Sequence, residues 1–235
     1  MAPRALSLDL DDTLWPIAPV IEHAEQALHQ WLLQRHPDVA ARYAPPVMRG
    51  LRDRITAQCP EIAHDFSAQR RLSLVHALRA CGHDAAEAEQ HAAAAFEIFI
   101  AARHRVACYP EVPQALKRLA ALLPLASLSN GNADLARIGL DTLIPVRISA
   151  RSTRLMKPDA RIFEHLCRQL GCAPSEVMHV GDDPELDVAG ARAAGLQVAW
   201  LNREQRRWPG PGPQPQRVFA DLDQLADWIE HTAHA

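Results

Sequence analysis

Hydrophobic and polar positions follow two different patterns along this chain. Residues 5–10 start apolar and end in acidic residues, which predicts a buried strand with carboxylates at its end. Residues 18–106 instead carry apolar side chains at helical spacing, with no convincing strand, and predict a module of about four helices. Prolines at 37, 45–46 and 60 predict the breaks between those helices.

From residue 111 onward, predicted strands and helices alternate. The strands are short apolar runs at 123–129, 146–150, 177–181, 197–201 and 217–220. Strands that alternate with helices indicate a parallel sheet with helices on both faces, an α/β fold to which the strand at 5–10 also belongs. Residues 18–106 are then an insertion after the first strand.

Local signals mark some of the boundaries in this second part. Asp159 is a candidate N-cap, and Gly171 a candidate stop, for the helix that carries Ile162, Phe163, Leu166 and Leu170. A helix is also predicted at 185–194, after the strand at 177–181. The Pro/Gly-rich segment at 208–216 is typical of a surface loop.

Composition narrows the class of protein. The chain has 235 residues, 48% of them hydrophobic, and a net charge of −3, which favours a globular enzyme without nucleic-acid binding. We expect no membrane span, because no run of about 18 apolar residues occurs, and a cytoplasmic location, because the N-terminus lacks an export signal. Five cysteines without a CxxC pair predict neither a zinc site nor a disulfide framework.

Acidic residues cluster after two of the predicted strands. The two clusters are Asp9, Asp11 and Asp12, and Asp182, Asp183 and Asp187. Carboxylates this close repel one another unless a cation lies among them, and Mg²⁺ prefers carboxylate, water and phosphate oxygens. Two acidic strand ends in one parallel sheet can converge on one such ion. The alternatives are a solvated turn for the first cluster and a helix N-cap, for Asp183 above all, in the second.

Two further elements fit the same edge of the sheet. Ser129 and Asn130 follow the strand at 123–129, where a hydroxyl and backbone amides can hold phosphate oxygens, although SNGN is also a common turn sequence. Lys157 follows the strand at 146–150 and can balance acids and phosphate there, although a lone lysine is usually a surface residue.

Taken in order, these elements resemble the four motifs of the haloacid dehalogenase superfamily. The motifs are a strand ending in DxDx(T/V), a strand ending in Ser or Thr, a Lys, and a strand ending in GDxxxxD. The matching residues are Asp9, Asp11, Thr13, Ser129, Lys157, Asp182 and Asp187. The resemblance implies a Rossmann-like parallel sheet core at 1–17 and 107–235. It also implies an inserted all-helical cap of the first type at 18–106.

The resemblance also implies roles for individual residues. Asp9 is expected to be the nucleophile that forms an aspartyl-phosphate, and Asp11 the general acid and base. Phosphate contacts are expected from Ser129, Asn130 and Lys157. The Mg²⁺ cofactor is expected on Asp9, the Asp11 backbone carbonyl and Asp182. Asp183 and Asp187 are expected either to bind the metal or to hold the groups around it.

Asp11 separates the branches of the superfamily. Dehalogenases of the superfamily lack this second aspartate, because a halide leaves without a proton or a metal. The DLDDT sequence therefore favours a phosphatase acting on a small phosphomonoester. The alternatives are a 2-haloacid dehalogenase, a phosphosugar mutase, a phosphoglycolate-type phosphatase, and a non-catalytic protein that keeps the fold.

Several stretches resemble one bacterial subgroup more narrowly. PEIAHDFSAQRRLSLVHAL, SNGNADL and HVGDDPELDVAGARAAGLQVAWLNR are similar to phosphatases of flavin mononucleotide and of 5-amino-6-(5-phospho-D-ribitylamino)uracil, a riboflavin precursor. Trp15 is a candidate substrate contact by stacking, with core packing as the alternative. In the insertion, polar groups of a substrate can meet His64, Asp65, Arg70 and Arg71, with solvated helix faces as the alternative for most of them. The oligomeric state stays open.

Overall fold

The structure is a computed structural model that describes residues 2–209, 214–215 and 217–233. The chain divides into two compact units. Met1–Pro16 and Ala107–Ala235 form one, here called the sheet unit, and Ile17–Val106 form the other, the helical unit. Within the described ranges, no helix is both long and apolar enough to cross a membrane. Most of the predicted loop at 208–216 lies outside them.

Helices make up almost all of the helical unit. They are α1 (Ile17–Arg35), α2 (Pro37–Arg42), α3 (Pro45–Gln58), α4 (Phe66–Ala80) and α5 (Ala85–Arg103). As predicted, prolines separate them: Pro37 and Pro45 are the first residues of α2 and α3, and Pro60 starts a 3₁₀ turn. Proline suits a first helical position because its missing N–H would have no partner in the helix there. The helices share one apolar core that includes Leu32, Leu78 and Phe99.

The predicted substrate-facing residues of this unit are partly structural. The Asp65 carboxylate caps α4 by accepting hydrogen bonds from the N–H groups of Ser67 and Ala68. Arg70 is buried, with its guanidinium 3.7 Å from the ring centre of Phe99 and 3.5 Å from the Glu25 carboxylate.

The sheet unit is built on parallel strands, which confirms the predicted α/β class. They are β1 (Ala5–Leu8), β2 (Leu125–Ser129), β3 (Val146–Ser149), β4 (Val177–Gly181), β5 (Gln197–Leu201) and β6 (Val218–Phe219). Their order in space is β3-β2-β1-β4-β5-β6, and each neighbouring pair is parallel. Every residue of β1, β2 and β4 is buried, as expected for strands covered on both faces.

Helices connect these strands. They are α6 (Val112–Leu122), α7 (Leu135–Ile138), α8 (Ala150–Thr153), α9 (Ala160–Leu170), α10 (Gly190–Ala193) and α11 (Leu222–Ala233). The predicted limits of α9 are confirmed: the Asp159 carboxylate accepts from the N–H of Arg161, and Gly171 ends the helix with a φ of 63°. The helix predicted at 185–194 differs, because Pro184–Ala189 form a π-helical turn that continues into α10.

Three imidazoles pack together in the helical unit. The His36 ring centre lies 5.1 Å from that of His83 and 4.5 Å from that of His91, and the latter two lie 5.3 Å apart. Burial, followed by His91 and His83, lowers the pKa of His36. The carboxylate of Glu87 is 3.7 Å from His83 Nδ1. His36 is therefore neutral in the folded chain at neutral pH.

This predicts that acidification weakens the helical unit through His36. The unfolded chain takes up a proton at His36 near pH 6.5, whereas the lowered pKa of folded His36 delays this uptake to lower pH. The free energy of unfolding therefore falls as pH drops from about 7.5 to about 5.5. In His36→Gln the fall should be smaller. Urea unfolding followed by circular dichroism at both pH values tests this. A wild-type slope in His36→Gln would contradict it.

Candidate active site

Three neighbouring strands bring the sequence-predicted groups to one edge of the sheet. β1 lies between β2 and β4, and these strands lead into Asp9, Ser129 and Asp182. The Asp9 N–H continues the β1–β4 pairing by donating to the carbonyl of Val180 at 2.9 Å. Ligands of open parallel sheets bind at this carboxyl edge, beside the strand where the connections change direction.

A buried lysine joins the two acidic clusters. Lys157 Nζ lies 2.5 Å from Asp9 Oδ1 and 2.5 Å from Asp187 Oδ1, and all three side chains are buried. Burial alone would lower the pKa of Lys157, but the carboxylates of Asp187 and Asp9 raise it instead. Likewise, burial would raise the pKa of Asp187, but Lys157 and His179 lower it. Lys157 and Asp187 are therefore charged at neutral pH.

His179 is a residue of this site that the sequence analysis did not predict. Its Nε2 lies 3.0 Å from Asp187 Oδ1, and its Nδ1 lies 3.0 Å from Ser7 Oγ. Burial lowers the pKa of His179, so the ring is neutral, and these partners fit a tautomer in which Nε2–H donates to Asp187 and Ser7 donates to Nδ1. The sequence does contain a signal for this contact, because Ser7 and His179 are polar residues inside two otherwise apolar strands. Buried polar side chains need hydrogen-bond partners.

The residues after β4 direct Asp187 toward this cluster. Asp183 is the N-cap of the turn, as the alternative interpretation held, and its carboxylate accepts from the N–H groups of Glu185 and Leu186. The Asp183 carbonyl accepts from the N–H groups of both Asp187 and Val188, which gives the turn its π-helical form. Asp187 Oδ2 in turn accepts from the Asp183 N–H at 3.0 Å.

The turn after β2 holds the lysine segment. The side-chain amide of Asn130 donates to the Lys157 carbonyl at 3.0 Å, and its oxygen accepts from the Lys157 N–H at 2.8 Å. Asn130 therefore fixes the backbone of Lys157, and its side chain does not take the phosphate-binding place expected for it. Ser129 Oγ accepts from the Gly131 N–H at 3.0 Å, which leaves its own hydrogen to donate. A cleft of about 250 Å³ opens beside Ser129.

The loop after β1 places Asp11 and Trp15 together. Trp15 Nε1 donates to Asp11 Oδ1 at 2.8 Å, and the Trp15 side chain is 0% exposed. A fully buried ring has no face open for a substrate, so the stacking expected of Trp15 does not fit this geometry.

The oxygen atoms of this edge fit Mg²⁺. Carboxylate oxygens of Asp9, Asp182 and Asp187 lie within 4.8 Å of one another. Burial, then Asp187 and Asp12, raise the pKa of Asp182 to about 7, and burial raises that of Asp9 well above its usual range. These raised pKa values indicate that the carboxylates together carry more negative charge than Lys157 balances. Such an excess is expected at a site that can hold a divalent cation. Both oxygens of Asp187 already accept hydrogen bonds, which favours Asp9 and Asp182 as the ligands.

This packing predicts that residue 181 must be glycine. A Cβ added at Gly181 would lie 2.2 Å from Asp187 Cγ, so Gly181→Ala must displace the carboxylate that holds Lys157. Such overpacking costs about 1–3 kcal/mol, measurable as a lower free energy of unfolding. Gly50→Ala is the control, because its added Cβ meets only Arg54 Nη1 at 3.7 Å. Equal stabilities of the two variants would contradict the prediction.

Comparisons with known proteins identify the family of this chain. The family model of haloacid dehalogenase-like hydrolases matches residues 3–195. The 5-amino-6-(5-phospho-D-ribitylamino)uracil phosphatase YigB of Escherichia coli is 32% identical over 85% of this chain and 84% of its own length. The phosphoserine phosphatase of Thermus thermophilus is 35% identical over 60% of this chain and 59% of its own.

A solved structure adds a relative of another kind. The crystal structure of a 2-haloacid dehalogenase from Pseudomonas syringae matches with a TM-score of 0.90 and 35% identity, over 98% of this chain and 99% of its own. These similarities agree on the family while their named activities differ. The chain thus belongs to the haloacid dehalogenase-like hydrolases and is an enzyme of that family.

Proposed function

We propose that this hydrolase is a magnesium-dependent phosphatase of small phosphomonoesters, with Asp9 as its nucleophile. The observation that carries the proposal is the pair formed by Asp9 and Asp11 at the end of β1. Asp9 lies beside the Lys157 ammonium, and Asp11 supplies a second carboxyl group within the same loop.

The first chemical step uses both carboxyl groups. Asp9 attacks phosphorus and forms an aspartyl-phosphate, while Asp11 gives its proton to the leaving alkoxide oxygen. In the second step a water molecule attacks the phosphorus, Asp11 takes up a proton from it, and the bond from phosphorus to Asp9 breaks. Phosphate and the regenerated enzyme are the products.

The other polar groups orient the phosphoryl group. Lys157 and the Ser129 hydroxyl donate to its oxygens, and Asn130 keeps Lys157 in place through its backbone. Asp9, Asp182 and the Asp11 carbonyl would hold Mg²⁺, which when bound would supply positive charge against the phosphoryl oxygens. We assign Asp187 to holding Lys157, because its oxygens already accept from Lys157, His179 and Asp183.

The substrate is proposed from the similarity of this chain to the Escherichia coli phosphatase. The Escherichia coli phosphatase named above acts on a phosphorylated ribitylamino-uracil, and it matches most of both chains. Flavin mononucleotide and this uracil compound are therefore the first substrates to test. We also assign residues 18–106, which coincide with the helical unit except for Ile17, to the substrate-selecting cap.

The phosphatase assignment predicts metal-dependent phosphate release that requires Asp9. The panel is flavin mononucleotide, the ribitylamino-uracil phosphate, phosphoserine, phosphoglycolate and sugar phosphates, each with Mg²⁺ and with chelator. Chelator should abolish turnover, and Asp9→Asn should lower kcat by at least about a thousandfold, because the nucleophile is lost. Inorganic phosphate is the measured product.

Asp141→Asn is the matched control, since it makes the same chemical change in the sheet unit away from the strand ends. It should keep wild-type turnover. Phosphate release that survives chelator, or that Asp9→Asn leaves unchanged, would refute the proposal. Transfer of the phosphoryl group to a second sugar phosphate instead of water would identify a mutase.

A 2-haloacid dehalogenase is the second candidate, and the match to the Pseudomonas syringae structure favours it. Its substrate would release halide after attack by Asp9 on carbon, a step that needs no proton donor. Halide release from a 2-haloacid in the presence of chelator, retained in Asp11→Asn, would support this candidate. Phosphate release lost in Asp11→Asn would support the phosphatase.

A further inference from the structure

Trp15 and Asp11 form a specific pair within the loop after β1. The indole Nε1 lies 2.8 Å from Asp11 Oδ1, and the indole is fully buried. An indole N–H is a donor with no acceptor capacity, and a buried one needs an oxygen partner. Trp15 can therefore bond only to an Asp11 oxygen that presents a lone pair.

The backbone of the loop fixes the position of this donor. The Asp12 N–H donates to the Trp15 carbonyl at 2.8 Å, and the Leu14 N–H donates to the Leu10 carbonyl at 2.8 Å. Asp12 adopts a left-handed conformation with φ 59°, which turns the chain so that residues 11 and 15 lie side by side.

A second contact fixes the loop from the rest of the sheet unit. Arg203 Nη2 donates to the Thr13 carbonyl at 2.8 Å. The same guanidinium pairs with Glu111 at 2.7 Å and lies 3.7 Å from the ring centre of Tyr109. Because both ends of this contact are held, the loop cannot rotate to move the indole away from Asp11 without breaking it.

We propose that Trp15 is a positioning residue that orients the Asp11 carboxyl group for proton transfer to the leaving oxygen. Its N–H donates to Asp11 Oδ1 at 2.8 Å, and the loop contacts described above keep this donor in place. This inference rests on the proposed function, in which Asp11 protonates the leaving oxygen. As the bond from Asp9 to phosphorus forms and the ester bond breaks, the carboxyl proton of Asp11 moves to the leaving oxygen. Asp11 is then a carboxylate that still accepts from Trp15.

Substrates with different leaving groups can distinguish the positioning role of Trp15 from a purely structural role. An alkoxide needs a proton in order to leave, whereas the p-nitrophenolate ion does not. The ratio kcat/KM reports only steps up to the first irreversible one, which is release of the leaving group. Comparing an alkyl phosphate with p-nitrophenyl phosphate by kcat/KM therefore isolates proton donation by Asp11.

The experiment is Trp15→Phe, which removes the N–H and keeps an aromatic ring. For the alkyl phosphate that wild type hydrolyses fastest, kcat/KM should fall about tenfold or more, and for p-nitrophenyl phosphate by less than about threefold. In an Asp11→Asn background, Trp15→Phe should cause no further loss for the alkyl ester, because its effect acts through Asp11. Trp228→Phe on α11 is the matched control and should leave both ratios unchanged.

The outcomes separate the possible explanations. Equal losses for both esters, or a full additional loss in the Asp11→Asn background, would make Trp15 structural and overturn the inference. Wild type that hydrolyses neither ester with Mg²⁺ would instead refute the proposed phosphatase function. If Trp15→Phe does not fold by circular dichroism, 3-benzothienylalanine at position 15 keeps the ring shape and replaces the N–H by sulfur. The same selective loss is expected with it.

Discussion

The buried Lys157 ammonium is the interaction on which the candidate active site depends. It contacts Asp9 and Asp187, and hydrogen bonds from His179 and the Asp183 backbone complete the coordination of Asp187. Removing such ions from water costs several kcal/mol for each ion unless every partner is in place. The ends of β1 and β4 and the segment that carries Lys157 must therefore meet in one arrangement, and Asn130 holds that segment there. The same cluster places Asp9, the proposed nucleophile, beside a positive charge.

Much of this arrangement is readable in the sequence, for a physical reason. Apolar runs that end in Asp9, Ser129 or Asp182 mark strands of one parallel sheet, and such strands end at a common edge. Side-chain direction is not readable in the same way. Asn130 lies in the predicted turn but binds the Lys157 backbone, and Trp15 follows the predicted nucleophile but is buried. Both outcomes depend on contacts that form only when the loops fold.

The similarities to phosphatases and to dehalogenases illustrate why a shared fold leaves chemistry open. Both kinds of relative match most of this chain, and a high structural similarity reports mainly on the shared scaffold. What differs between the two reactions is the leaving group, which is a halide in one and an alkoxide in the other. A proton donor matters only for the alkoxide, so the single carboxyl group of Asp11 carries more information about the reaction than the rest of the fold.

The contact between Ser7 and His179 has a consequence for the assembly of the sheet. Ser7 and His179 face each other directly in the pairing of β1 with β4, among neighbours that are almost all apolar. Leu, Val, Ala and Met side chains can pack in several alignments at similar energy, so apolar strands alone specify their offset weakly. A slip by one residue would separate the hydroxyl from the imidazole and leave both buried without each other, at a cost of about 1–3 kcal/mol for each group. The Ser7–His179 pair thus favours one register of β1 against β4 during folding.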